Sequence, residues 1–482
     1  MTAPTHLRSF IGGDWRESAS DTWIADINPS NADDIIGRVP TGTVDDARAA
    51  VSSASTAYPA WRALPGAARA EFLYKWANAI AARQEELAQL VTREVGKPIS
   101  ESRGEVGRCG MILRYYAGEA VRSIGDVIPA QAAGALQFTL RQPLGVVALI
   151  TPWNFPVAIP LWKAGPALAF GNTIVLKPAE SSSRAAMVLA ECALAAGMPA
   201  GVVNVLLGSG EAVGPALIGD PEVCAVSFTG SGRIGATVGA TAARRNIRYQ
   251  TEMGGKNVAI VLPDADLRQA AMLTAAGAMR YAGQKCTATS RVIVAREVED
   301  AFLAELRSQV AALPLGPVTD AASAVGPVIS EQSRRSIRQA LEGMDAECIY
   351  EGQIPSSAEF SNGYFVAPTV VRGAAIDSEV AQRELFGPVL VEFVAEDIDH
   401  AIALANSTPY GLSASLYTRD LRSALKYIDR IEAGMVRVNG DTTGVDPHAP
   451  FGGMKGSSSG SREQGPAARE FYTELKTVQI NA

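Results

Sequence analysis

Apolar positions along the chain recur first at helical spacing and then in strand-length runs. Residues 10–40 carry short alternating stretches between turn formers, Gly12-Gly13 and Asn28-Pro29-Ser30, and read as an opening hairpin-like segment. Three amphipathic helices are expected next, near 44–63, 67–95 and 99–120. In the second, Ala-Arg-Ala-Glu-Phe-Leu-Tyr-Lys-Trp sets apolar residues three and four apart, and Gly96-Lys97-Pro98 is its stop signal. These helices read as scaffold, with Arg108, Cys109 and Arg114 in solvated or structural roles.

From Leu136 the pattern changes. Gly145 to Ile150 is a continuous apolar run, as a strand covered on both faces requires, and Thr151-Pro152-Trp153-Asn154-Phe155-Pro156 interrupts it before a helix over 157–170. Strands at 173–176, 202–206, 223–228 and 247–251 then alternate with helices at 182–196, 210–218 and 231–244, the signature of a parallel α/β sheet. Ligands of such sheets bind beyond the carboxyl ends of the strands. Attention therefore falls on Trp153-Asn154, Lys177 to Glu180, Gly208 to Gly210, Thr229 to Gly232 and Glu252 to Gly255. A second alternating region over roughly 256–455 has helices at 266–280, 298–312, 330–343 and 397–405.

Composition narrows the chemistry. With 482 residues the chain exceeds one hydrophobic core, so two or three domains are expected. Its 43 basic and 50 acidic residues give −7 with no block of like charge, which argues against nucleic acid or an anionic membrane surface as partner and for a small ligand. The amino terminus lacks the apolar core of a signal peptide, and no apolar run approaches the roughly 18 residues of a membrane span, so a cytoplasmic location is expected. Five cysteines, widely spaced and without a C-x-x-C pair, fit neither a disulfide framework nor a zinc site. Three scattered histidines leave little for a nucleophile–histidine triad. No metal is expected.

Two stretches then compete for function. Gly230-Ser231-Gly232-Arg233-Ile234-Gly235 is a formal G-x-G-x-x-G after a strand and at the start of a helix, with Glu252 where a ribose-binding acid would fall; Lys177-Pro178-Ala179-Glu180 offers a second carboxylate for that role. Glu252 does not easily serve as both ribose ligand and catalytic base. Arg280 to Ser290, Arg-Tyr-Ala-Gly-Gln-Lys-Cys-Thr-Ala-Thr-Ser, reads as a helix end, a turn at Gly283 and then a strand over 291–295. Cys286 either packs inertly, as free cysteine often does, or reaches a cleft as a nucleophile with Lys285 favouring its thiolate.

These residues resemble the aldehyde dehydrogenase superfamily from about residue 10 to 480. Thr-Pro-Trp-Asn-Phe-Pro at 151–156, Gly171-Asn172-Thr173 with Lys177-Pro178, Phe228-Thr229-Gly230-Ser231, Glu252-Met253-Gly254-Gly255-Lys256-Asn257, Gly283-Gln284-Lys285-Cys286, Glu384-Leu385-Phe386-Gly387-Pro388 and Pro450-Phe451-Gly452-Gly453 stand in the family's order and spacing. The resemblance implies an α/β fold: a Rossmann-like NAD(P)-binding domain (1–123 and 144–254), an α/β catalytic domain (255–455) and a small β oligomerisation arm (124–143 and 465–482). A homodimer or homotetramer is implied with it.

By the same resemblance Cys286 is the nucleophile of an aldehyde oxidation, the Asn154 amide and the Cys286 N–H steady the alkoxide, and Glu252 activates the hydrolytic water. Lys177 is counted with the catalytic residues and, with Glu180, at the adenine ribose. Gly230 and Ser231 fall at the pyrophosphate, Trp153 along the cleft, and Glu384 and Phe386 at the nicotinamide ribose and ring. Glu180 favours NAD over NADP, since a carboxylate repels a 2′-phosphate, although Lys177 and the serines at 181–183 would tolerate one if Glu180 swung away.

The substrate side is closest to the α-ketoglutarate semialdehyde (2,5-dioxopentanoate) dehydrogenases through Ile159 to Asn172, Gln284 to Arg291 and Thr443 to Gly453, with departures at Gly165, Pro447 and Asp441-Thr442. Arg280 matches an arginine that succinate semialdehyde dehydrogenases use on the substrate carboxylate, where a second such arginine is replaced by Trp162; equally, Arg280 reads as a cation ending a helix. Phe155, Trp162 and Phe451 form an aromatic wall that also suits uncharged aliphatic or aromatic aldehydes. A non-catalytic ligand-binding relative is the remaining alternative.

Overall fold

The computed structural model describes residues 5–122 and 124–481. Two sheets organise them. In the first, five parallel strands stand in the order Val203–Val205, Thr173–Lys177, Val146–Ile150, Val223–Thr229, Arg248–Glu252. Numbered along the chain this is 3-2-1-4-5, the order of a dinucleotide-binding sheet, which places its crevice between Val146–Ile150 and Val223–Thr229. The strands read as unbroken apolar runs because helices cover both faces, and Val147, Ala148, Leu149, Ile174 and Val226 are fully buried. Antiparallel strands close the edges, Ser9–Ile11 at one end and Ser458–Gly460, paired with Glu252, at the other.

The second sheet runs Glu347–Glu351, Thr369–Arg372, Val389–Ala395, Thr289–Ala295, Asn257–Val261, Ser413–Tyr417, Met435–Val438, parallel except at its first edge. Glu252 ends the last parallel strand of the first sheet and Asn257 opens the central strand of the second, so only Met253 to Lys256 separate them. A third, smaller sheet pairs Thr473–Ile480 along Leu136–Pro143 with Val127–Ile128 outside it. The helix Gly465–Tyr472 before it packs into the first core through Ala468, Phe471 and Tyr472.

The helix expected over 67–95 is two helices, Gly66–Ala82 and Gln84–Val95. Arg83 breaks the run at φ −111°, ψ 20°, with its guanidinium held by Glu86 and by Glu191 of the neighbouring helix. Apolar spacing continues across the break, so the kink is a tertiary effect. Helices and strands elsewhere match the expected ones within a few residues at each end, where capping decides.

Candidate active site

The segment before Cys286 is built unlike its sequence suggests. Helix Leu267–Met279, N-capped by Asp266, stops at Arg280, and Tyr281, Ala282 and Gly283 follow at φ 55°, 51° and 65°. Of three successive residues in the left-handed region, the two that are not glycine cost about 1–2 kcal/mol each and persist only where surroundings impose them. Here Tyr281 and Ala282 are fully buried. A Cβ on Gly283 would lie 2.3 Å from the Gly387 carbonyl, so glycine is required there. Gln284, also fully buried, donates to the Tyr281 and Pro327 carbonyls and accepts from Ile329 N–H. Beyond Cys286, Asn257 donates to the carbonyls of Cys286 (2.8 Å) and Ala288 (2.9 Å), tying the turn to the second sheet.

This turn delivers Cys286 half-buried into a cavity of about 740 Å³. Asn154, nearly buried on the loop after Val146–Ile150, donates one amide hydrogen to the Gln284 carbonyl at 3.0 Å, two residues from the thiol, leaving its second hydrogen for a ligand. Phe155, Trp162, Arg280 and Phe451 all line the same cavity, with Trp162 and Phe451 in ring contact at 5.7 Å. The four residues expected at the substrate are therefore brought together with the thiol.

Lys285 does not act on the thiol as expected. Its ammonium pairs with Glu101 at 3.0 Å, and Arg280 leans on the same carboxylate at 3.8 Å. Burial, then the carboxylates of Glu384, Glu252 and Glu463, push the Cys286 thiol up to about 12. At rest the sulfur carries its proton.

Glu252 is 2% exposed. One oxygen accepts from the Ser458 hydroxyl, and the other is buried, with no hydrogen-bond partner among the described residues, beside Gly452, where a Cβ would come within 2.7 Å. Burial and the neighbouring Glu463 push its carboxyl well above the ordinary range, against the pull of Ser458. Glu463 belongs to a network that sequence reasoning missed: Lys163, Trp162 Nε1, Ser227 and Gln250 all donate to its carboxylate. A signal existed, since Lys163 is the lone charge in the wholly buried helix Ala158–Ala169, and a buried ammonium demands a counterion.

The residues expected at the cofactor gather at strand ends. Lys177, 3% exposed, donates to the Pro178 carbonyl at 2.7 Å and reaches Glu180 at 3.5 Å; it stands with Glu180 rather than in the cavity of Cys286. Glu180 also accepts from Gly210 N–H at 2.7 Å. Ser231 is the N-cap of helix Gly232–Arg244 but makes no capping hydrogen bond, so the first turn keeps its N–H groups for an anion. Gly230 N–H donates to the Glu252 carbonyl. Glu384 accepts from Gly255 N–H at 2.9 Å, and a Cβ on Gly254 would lie 1.9 Å from its carboxylate. Burial lifts Glu384 to about 7. Phe386, at φ 53°, meets Trp153 edge-on at 5.5 Å. An open helix N-terminus at the crevice, ribose-type acids at strand ends and a glycine cradle fit a dinucleotide.

A nucleotide-type sheet beside a thiol that lines a cavity fits an NAD(P)-dependent oxidoreductase. Residues 15–478 match the model of the aldehyde dehydrogenase family, and the chain belongs to that family. It is 44% identical to the alpha-ketoglutaric semialdehyde dehydrogenase of Bacillus subtilis over 100% of this chain and 99% of that one. The NADP-dependent succinate-semialdehyde dehydrogenase of Escherichia coli is 38% identical over 98% and 97% of the two chains. Betaine aldehyde dehydrogenase from Staphylococcus aureus, solved with NAD+, superposes with a TM-score of 0.95 at 32% identity, covering 99% of this chain and 95% of that one.

Proposed function

We propose that this NAD(P)-dependent aldehyde dehydrogenase oxidises an aldehyde that carries a carboxylate a few carbons away, such as 2,5-dioxopentanoate or succinate semialdehyde. Cys286 Sγ adds to the aldehyde carbon, and its proton leaves to water. The resulting alkoxide is met by the free amide hydrogen of Asn154 and the Cys286 N–H, donors whose individual loss costs about 3–4 kcal/mol. NAD(P), when bound, would supply an acceptor for the hydride that the tetrahedral carbon loses. A thioester then remains on Cys286. Glu252 takes a proton from water, the hydroxide attacks the thioester, and the acid departs as the thiol is restored. Trp153, Glu384 and Phe386 would hold the nicotinamide end, Gly230 and Ser231 the pyrophosphate, and Lys177 and Glu180 the adenine ribose.

One observation carries the reading: the thiol opens on a cavity whose wall combines Phe155, Trp162 and Phe451 with guanidinium groups. Of these, Arg280 is held only loosely, and Arg108 lines the cavity without a hydrogen bond or ion pair to any described residue. A carboxylated substrate supplies the missing partner. The aromatic wall favours a second reading, an uncharged aliphatic or aromatic aldehyde. Assaying semialdehydes against neutral aldehydes, each with NAD and with NADP, separates the two. Turnover of 2,5-dioxopentanoate no faster than that of a simple aliphatic aldehyde would remove the first. We assign residues 1–123 and 144–254 to cofactor binding, 255–455 to catalysis, and 124–143 with 465–482 to an arm that joins copies into a homodimer or homotetramer. No described helix is long and apolar enough to cross a membrane.

A further inference from the structure

Lys97 and Glu105 form an ion pair whose side chains have no exposure to solvent, and Glu105 borders the cavity that Cys286 opens on. Gly96, at φ 67°, ends helix Gln84–Val95, and Pro98 starts Ile99–Glu119, so Lys97 is turned inward at the corner between them. Its ammonium pairs with Glu105, one face of the helix away, with both side chains at 0% exposure. The same ammonium lies 4.0 Å from the ring centroid of Phe155 and 4.6 Å from that of Tyr281. Cation–π attraction of this kind is strongest where water is excluded. The second oxygen of Glu105 accepts from Val157 N–H and Ala158 N–H, each at 3.0 Å, at the start of helix Ala158–Ala169.

These contacts join the two segments that the Asn154–Gln284 hydrogen bond also bridges. Phe155 follows Asn154, the amide donor. Tyr281 is the first of the three left-handed residues that lead to Gln284, whose carbonyl receives that amide, and to Cys286. One ammonium therefore grips both halves of the site, while its carboxylate partner fixes the helix that continues from the Asn154 loop. A buried ion pair is weak as a source of stability, because an apolar pair of similar shape is often as stable. Its value here lies in where it holds its neighbours.

We propose that Lys97 and Glu105 are positioning residues that set Asn154 in register with the Cys286 turn, and so govern the chemical step rather than binding. The proposal rests on the oxyanion reading of Asn154 given above. The test is the double variant Lys97→Met with Glu105→Gln, which removes both charges and keeps the acceptor for Val157 and Ala158. Its kcat should fall about 30- to 100-fold, the scale of a donor displaced by about 1 Å, with KM for aldehyde and cofactor within about threefold of the parent. Alkylation of Cys286 by iodoacetamide needs no oxyanion donor and should stay within about twofold. Added to Asn154→Ala, the double variant should cause little further loss, since both act on one interaction. A kcat within threefold of the parent, or losses that multiply with Asn154→Ala, overturns the proposal. So does a fall of alkylation rate and Tm in step with kcat, which would mean that the pair only holds the fold. If Asn154→Ala alone left kcat intact, the oxyanion reading itself would fail.

Discussion

Two groups of residues make up the candidate site, and they are made in different ways. Trp153, Glu180, Gly230 and Ser231 follow the carboxyl ends of parallel strands, and much of what they offer is main chain: an open helix N-terminus, a glycine, a loop fixed by sheet topology. The cavity beyond the thiol is walled by side chains from helices Ile99–Glu119, Ala158–Ala169 and Leu267–Met279 and from the segment around 437–451. The cofactor side thus rests largely on the backbone, whereas the cavity wall rests on side chains that the backbone would let vary.

Perturbing the shared centre gives the largest effect. Cys286→Ala should lower kcat by about 10⁴-fold or more, the order seen when an enzyme loses its nucleophile. Tryptophan fluorescence titration should still report cofactor binding within about twofold. A residual rate near one hundredth of the parent would show that another group attacks the aldehyde. Glu252→Gln follows, with steady-state kcat down about 10²- to 10³-fold but a first-turnover burst of reduced cofactor preserved, because thioester hydrolysis alone is stalled. The pH dependence has a definite sign. Burial and Glu463 raise the Glu252 carboxyl, so in the parent enzyme the base is protonated, and kcat lost, as pH falls through that raised value. In Glu252→Gln the dependence should vanish from kcat; its persistence would assign the limb to a different group.

How far these roles were legible in the sequence follows the same division. The strand runs, the glycines and the position of Cys286 are local signals, and the structure keeps them. The turn at Tyr281 and Ala282 is not local: no propensity favours those residues in the left-handed region, and burial with contacts to distant segments holds them there. Lys163 and Glu463 meet across 300 positions, and Lys285 turns from its neighbour Cys286 to Glu101 on a distant helix. Each depends on packing between segments, which a pattern read along one chain does not contain.

Charge on the cavity wall should move substrate preference without moving chemistry. Arg280→Gln and Arg108→Gln are each expected to lower kcat/KM for 2,5-dioxopentanoate about tenfold, the worth of about 1.4 kcal/mol, and to leave an uncharged aldehyde within about twofold. Arg280 already shares Glu101 with Lys285, whereas Arg108 has no described partner, so the larger loss is expected at Arg108. Equal losses on charged and neutral aldehydes would make both residues structural, and would detach substrate choice from the wall.

The smallest effect tests the cofactor side by the same means. Ser209 caps helix Gly210–Gly219 by accepting from Ala212 N–H, and the Glu180 carboxylate takes the N–H of Gly210 at 2.7 Å. An internal anion therefore already occupies this helix start, where a 2′-phosphate would otherwise find a favourable field. Glu180→Gln keeps the side chain's shape and an acceptor for Gly210 while removing the charge. At an effective dielectric near that of a protein surface, relief of this repulsion is about 1 kcal/mol, which should raise kcat/KM with NADP relative to NAD about fivefold. The ratio should shrink at high salt, because the group is partly exposed and screened. A cofactor ratio that ignores both the substitution and the salt would mean that the backbone alone sets cofactor choice, and the contrast between the two sides of Cys286 would then be sharper than drawn above.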